Sequence, residues 1–151
     1  MEFFGVRETS PNRSPIIDQW QKPFGLRGQN WCMMFQWNME ERSARKHGYK
    51  NPLAKTALCC QQLAYARRVA SKLKVVYCGV AVSPKVQTGW LGITSKNGTS
   101  RELIGKQWSG HVFRVRQDLG DVVLTVEGNC KNMVTSRIFK KSKTLAFIAP
   151  L

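Results

Sequence analysis

The stretch "NWCMMFQWNMEERSARKH" (residues 30–47) is the one on which the architecture turns. Trp31, Met34, Phe35 and Met39 recur at spacings of three and four before Glu40, Glu41, Arg42 and Arg45 take over. That pattern predicts a helix buried at its start and wet at its end. Asn30 is a good N-cap and Gly48 a natural stop, which puts Cys32 at the second helical position. A thiol there meets unpaired backbone N–H groups and the positive end of the helix dipole, and both favour the thiolate.

Outward from this helix the chain divides into two kinds of periodicity. Ser14-Pro15 predicts a short helix over 15–22 that must stop near Pro23. Asn51-Pro52 predicts the opening of a third helix, carrying Leu53, Ala57, Cys60, Leu63, Ala64 and Val69, with Arg67, Arg68 and Lys72 near its end where cations suit the dipole. From Lys74 the period shortens, and strands are expected at 75–82, 89–94, 111–117, 121–128 and 144–149. The segment 95–110 reads as loop, with a turn at Asn97-Gly98. Helices first and strands later predict an α+β fold with an antiparallel sheet, and 151 residues suit a single domain over 1–151.

Composition narrows the function. A hydrophobic fraction of 42% with 22% charged residues is that of a folded globule. The 24 Lys and Arg against 9 Asp and Glu leave a charge of +15, so a partner drawn in at long range is polyanionic: nucleic acid, anionic lipid headgroups or wall polymers. Nucleic acid is the main alternative reading, with Trp90, Trp108, Phe113 and Phe139 as stacking candidates. Against it, the basic residues are scattered, and the densest run, "FKKSKT" at 139–144, is short. No segment reads as a membrane span, and "MEFFGVRETSPNRSP" lacks the pattern of a secretory signal. The cysteines (32, 59, 60, 78 and 130) are odd in number and form no C-x-x-C pair, which argues against a disulfide framework or a zinc ribbon. No metal or other cofactor is expected; the one metal alternative joins Cys32, His111 and Cys130. Cys59, Cys60 and Cys78 read as core residues, and Cys130 as a bystander or cleft wall.

A thiolate nucleophile needs a base. His47 lies about 22 Å from Cys32 along the same helix and cannot serve it. His111 opens a strand that returns through "QDLGDV" into "VEGNC". A two-residue turn at Leu119-Gly120 would set His111 opposite Gly128; a shift of one residue either way would set it opposite Glu127 or Asn129. Glu127 and Asn129 share a face, so a carboxylate or an amide is available to hold the imidazole. Thiol, imidazole and orienting polar group are the parts of a cysteine hydrolase.

Taken together, "FFGVRETSPNRSPIIDQWQKPFGLRGQNWCMMF", "SGHVFRV" and "VEGNC" resemble the cysteine, histidine-dependent amidohydrolase/peptidase (CHAP) family of peptidoglycan hydrolases, over about residues 3–130. The resemblance implies a papain-like α+β fold in which the nucleophile helix packs on the antiparallel sheet. It implies Cys32 as nucleophile, His111 as general base, and Glu127 and Asn129 as residues that orient the ring. Gln29 and Trp31 are weaker candidates for oxyanion or substrate contacts. The implied partner is peptidoglycan, with anionic wall polymers as a further attraction, cut at an amide bond as an amidase or endopeptidase. A catalytic chain with no separate wall-binding module suits a phage endolysin or an antibacterial effector, made in the cytoplasm and acting on the wall after release by a holin or a secretion system. An effector would be paired with an immunity protein. A non-catalytic wall-binding phage component is the remaining alternative. Met33 and Met34 stand where the family carries small residues after its cysteine, and Phe113 and Arg114 follow "HV", which predicts a narrower or differently specific cleft.

Overall fold

The structure, a computed structural model, describes residues 2–78 and 83–150. Three helices, α1 (Pro15–Gln21), α2 (Cys32–His47) and α3 (Cys59–Arg68), precede all the strands among the described residues. These are β1 (Leu73–Tyr77), β2 (Leu91–Ser95), β3 (Gly110–Asp118), β4 (Val122–Cys130), β5 (Met133–Thr135), β6 (Ile138–Lys140) and β7 (Ala146–Pro150). They pair antiparallel in the order β1-β7-β2-β3-β4-β5, with β6 on β4, so the fold is α+β.

The Ser14 hydroxyl accepts from the Ile17 N–H at 3.2 Å and Pro15 fills the first helical position, so α1 starts where its cap and proline require. It passes into a 3-10 turn, Lys22–Phe24, that closes on Gly25 at φ 67°. At the other end of α2, Gly48 takes the left-handed conformation (φ 73°) and stops the helix as its sequence predicts.

Two expected helix starts are displaced. α2 begins on Cys32 itself with Trp31 at the cap position, and no side chain caps it. The Asn30 carboxamide instead accepts from Asn129 Nδ2 at 3.5 Å. The third helix opens not at Asn51-Pro52 but at Cys59. Asn51 Oδ1 accepts from the Leu53 N–H two residues on, while Nδ2 reaches Trp37 O and Glu41 Oε2 on α2, so Asn51 ties a non-helical turn to its neighbour.

Strand alternation splits the core across the sheet. Val112, Ala146 and Ile148 face Cys32 and Met33 of α2 and Leu63 and Ala66 of α3. Phe113, Val115 and Phe147 face the other way, with Val86 and Val123. A third cluster joins Ile17 and Trp20 of α1 to Trp31, Met34 and Phe35. The first turn of α2 is thus packed on every side. Arg114 fixes its middle, donating to Gln36 Oε1, to Glu40 Oε2 at 2.8 Å and to the Gly89 carbonyl. At β4, a Cβ on Gly128 would lie 2.7 Å from Phe35, so a glycine is what lets the helix sit this close to the strand.

The β3–β4 hairpin is not the simple two-residue turn. Asp118 pairs with Val123, the register slips between Val115 and Gln117, and Arg114 then pairs with Val126. Continued to the start of β3, that register brings His111 level with Asn129 and diagonal to Glu127. Of the expected strand over 75–82, positions 75–77 fall in β1, which opens earlier at Leu73; Cys78 lies past its end, and positions 79–82 lie outside the described residues. β5 and β6, three residues each, had no signal of their own.

Candidate active site

Cys32 is the first residue of α2, so its N–H has no partner within the helix, no side chain caps this end, and the positive end of the helix dipole lies at the thiol. The thiol is buried at 6% exposure and lies beside His111, which emerges at the second position of β3. His111 Nε2 is 2.8 Å from Glu127 Oε2, which leaves Nδ1 as the ring nitrogen available to the sulfur. Glu127 is fully buried and satisfied on its other oxygen by the Thr125 hydroxyl and by Arg137 Nε at 2.7 Å. Charges thus alternate in sign along a line from sulfur to guanidinium.

Cys59, at the head of α3, completes the site from the other side, its sulfur 4.0 Å from that of Cys32. A hydrogen bond from the Cys59 thiol, then His111 and the Val112 N–H, hold the Cys32 thiol well below its ordinary pKa against the opposing effect of burial. The negative sulfur of Cys32, together with burial, pushes Cys59 up, so Cys59 is a neutral donor. Burial would lower His111, but the Cys32 sulfur and the Glu127 carboxylate outweigh it and raise the ring to about 9. Burial would raise Glu127, but His111, Arg137 and Thr125 together bring it down to about 2. The four groups favour a thiolate–imidazolium pair backed by an ionised carboxylate.

The other expected site residues lie apart. Asn129, at φ 59°, turns its amide to Asn30, and no hydrogen bond joins it to His111 among the described residues. Trp31 is a core side chain rather than a substrate contact: it is fully buried and its Nε1 donates to Glu8 Oε1 at 2.9 Å. Gln29 is exposed in the loop before α2, its backbone N–H held by Gln21 Oε1. Of the bulky residues expected to narrow a cleft, three do not line one. Met33, Met34 and Phe113 are in the core, and Arg114 is turned to Glu40. Cys130 is pushed up, by burial first and then by Glu127. Among the described residues no group of three His, Cys, Asp or Glu is arranged to hold a metal ion, and none of the helices is long and apolar enough to cross a membrane.

Cys59, Thr125 and Arg137 were not foreseen. Thr125 carried the one usable signal, being two residues before Glu127 and so on the same strand face. A groove of about 640 Å³ is lined by Arg7, Glu8, Asn12, Asn30, Asn129 and Lys131, so that it reaches the residues two before Cys32 and two after Glu127. Asn12, Asn129, Lys131 and Asn132, the non-glycine residues with positive φ among those described, all border it. The larger hollow of about 860 Å³, between Glu40, Tyr49, Trp90 and Arg114, lies about 12 Å along α2 from Cys32 and holds none of these ionised groups.

No family model, curated protein or solved structure matches this chain. The functional argument therefore rests on the geometry.

The ion pair makes a direct prediction. Below about 9 His111 carries its proton and attracts an anionic reagent to the thiolate. Alkylation of Cys32 by iodoacetate should be fast already in mildly acidic solution and should fall as the pH rises through about 9. The other cysteines should react faster as the pH rises. Peptide mapping of the alkylated sites reads both, and a Cys32 rate that climbs through 8 to 10 like an ordinary thiol would remove the pair.

Proposed function

We propose that the protein is a cysteine amide hydrolase of papain-like architecture that cuts the peptide part of bacterial peptidoglycan. The observation that carries the chemistry is the Cys32–His111–Glu127 line at an uncapped helix start. The Cys32 thiolate attacks an amide carbonyl, and the Cys32 N–H donates to the oxygen that becomes negative. His111, held by Glu127, gives its proton to the departing amine and then takes one from the water that releases the acyl group. Glu127 remains ionised throughout, orienting the ring and stabilising its charged form.

The substrate class rests on the resemblance in residues 3–130 and on the charge of +15, which draws the protein to an anionic wall. The amide-rich groove bordered by Asn30, two residues before Cys32, and by Asn129, two residues after Glu127, carries Arg7 and Lys131 and suits an extended peptide bearing carboxylates. A phage endolysin or an antibacterial effector is the corresponding biological setting, acting on the wall after release from the cell that makes it.

The test is to incubate the purified protein with sacculi from Gram-negative and Gram-positive bacteria and to identify soluble products by mass spectrometry. Fragments carrying one new amine and one new carboxyl group are expected, and their masses name the bond. Binding to sacculi with no fragment from any wall would replace the hydrolase by a wall-binding protein. Neither cutting nor binding, with tight binding to oligonucleotides, would favour the nucleic-acid reading.

A further inference from the structure

Cys59 has no role in the hydrolytic cycle beyond one hydrogen bond, yet its sulfur is in contact with that of the nucleophile. Cys32 and Cys59 each open a helix, share one hydrophobic cluster, are each 6% exposed, and place their sulfurs 4.0 Å apart. We infer that this pair is an oxidation site, at which a small peroxide converts the two thiols to an intramolecular Cys32–Cys59 disulfide and so reversibly removes the nucleophile.

Closing the bond shortens the sulfur separation by about 2 Å. The segment before α3 is irregular from Pro52 to Leu58, held by Asn51 and Thr56 side chains rather than by a helix, so the head of α3 can follow a rotating Cys59 side chain. Access favours a small oxidant: Cys32 and Cys59 are each 6% exposed, and the His111 side chain next to the Cys32 sulfur is 23% exposed.

The reaction balances with hydrogen peroxide as oxidant. The Cys32 thiolate attacks one peroxide oxygen, the O–O bond breaks, and the leaving hydroxide takes the proton of the His111 imidazolium to become water. The product is a Cys32 sulfenic acid beside a neutral imidazole. Cys59 gives its proton to that site as its sulfur attacks the Cys32 sulfur; the S–S bond forms, the S–O bond breaks, and the oxygen leaves as a second water. Two thiols are oxidised by one peroxide, which is reduced to two waters. Cys60, the neighbouring buried thiol, opens no such contact with Cys32.

The experiment treats the native protein with hydrogen peroxide, blocks remaining thiols, and maps peptides without reduction. A peptide linking Cys32 to Cys59 is expected in the wild type and in Cys60→Ser. In Cys59→Ser the linkage should be absent and Cys32 should proceed to sulfinic acid, so that dithiothreitol restores Cys32 alkylation about tenfold less than in the wild type. Cys32 recovered as sulfinic acid in the wild type, left reduced, or joined to Cys60 or Cys130 would overturn the inference. The readout is covalent and needs no substrate, so it stands or fails separately from the hydrolase assay.

Discussion

Cys32→Ala is expected to reduce release of wall fragments by at least about 10³-fold, to the background of the assay, while Tm moves by less than about 4 °C. The small stability effect follows from what the substitution removes: a thiolate whose attraction to His111 is offset by the cost of burying its charge, while His111 stays paired to Glu127. His111→Ala should lose as much activity and more stability, because it leaves the buried Glu127 with only Arg137 as a charged partner. The double variant should be no slower than either single one, since a nucleophile without its base and a base without its nucleophile fail at the same step. Losses that multiply would mean that the two residues act independently and that the ion pair is not the reactive species.

How much of this was legible in the sequence depends on the range of the interactions involved. α2 was legible because its period and its glycine stop are local, and β3 and β4 because alternation is local too. The head of α3 was not. Asn51-Pro52 has the chemistry of a helix start, but Asn51 is claimed by Trp37 and Glu41 on another element, and that contact cannot be read along the chain. Nor does the sequence announce a slip in register at Arg116, so the hairpin count alone left His111 opposite any of three residues. The partnership of His111 with Glu127 was within reach of the pattern. The exclusion of Asn129 was not, because it depends on a left-handed backbone at φ 59° that asparagine tolerates but does not demand. Cys59 reaches Cys32 across 27 residues of chain, and no spacing rule links them.

Glu127→Gln separates orientation from mere proximity, and its effect should be second only to loss of the nucleophile or base: about 10³-fold in kcat with KM little changed. A carboxylate here accepts from three donors, His111, Thr125 and Arg137. An amide can turn its oxygen to only one side, so its NH₂ must face either the imidazolium or the guanidinium, and of the two charges that raise His111, the Cys32 sulfur and the Glu127 carboxylate, the second is lost. The alkaline limb of kcat/KM should therefore move to lower pH. Stability gives an independent readout. Glu127 is held down at about 2 from an ordinary 4.5, so its contribution is present in full above 4.5 and is lost as the pH falls through about 2. His111 is raised from 6.5 to about 9, so its contribution is full below 6.5 and is lost as the pH rises through about 9. The variant should melt about 5–10 °C below the wild type between 4.5 and 6.5, with the gap closing on both sides. Asn129→Ala, which removes an amide hydrogen-bonded to Asn30, should lower kcat by less than about tenfold and leave the alkaline limb in place. Equal losses in the two variants would return Asn129 to the imidazole and mean that Glu127 serves the fold rather than the reaction.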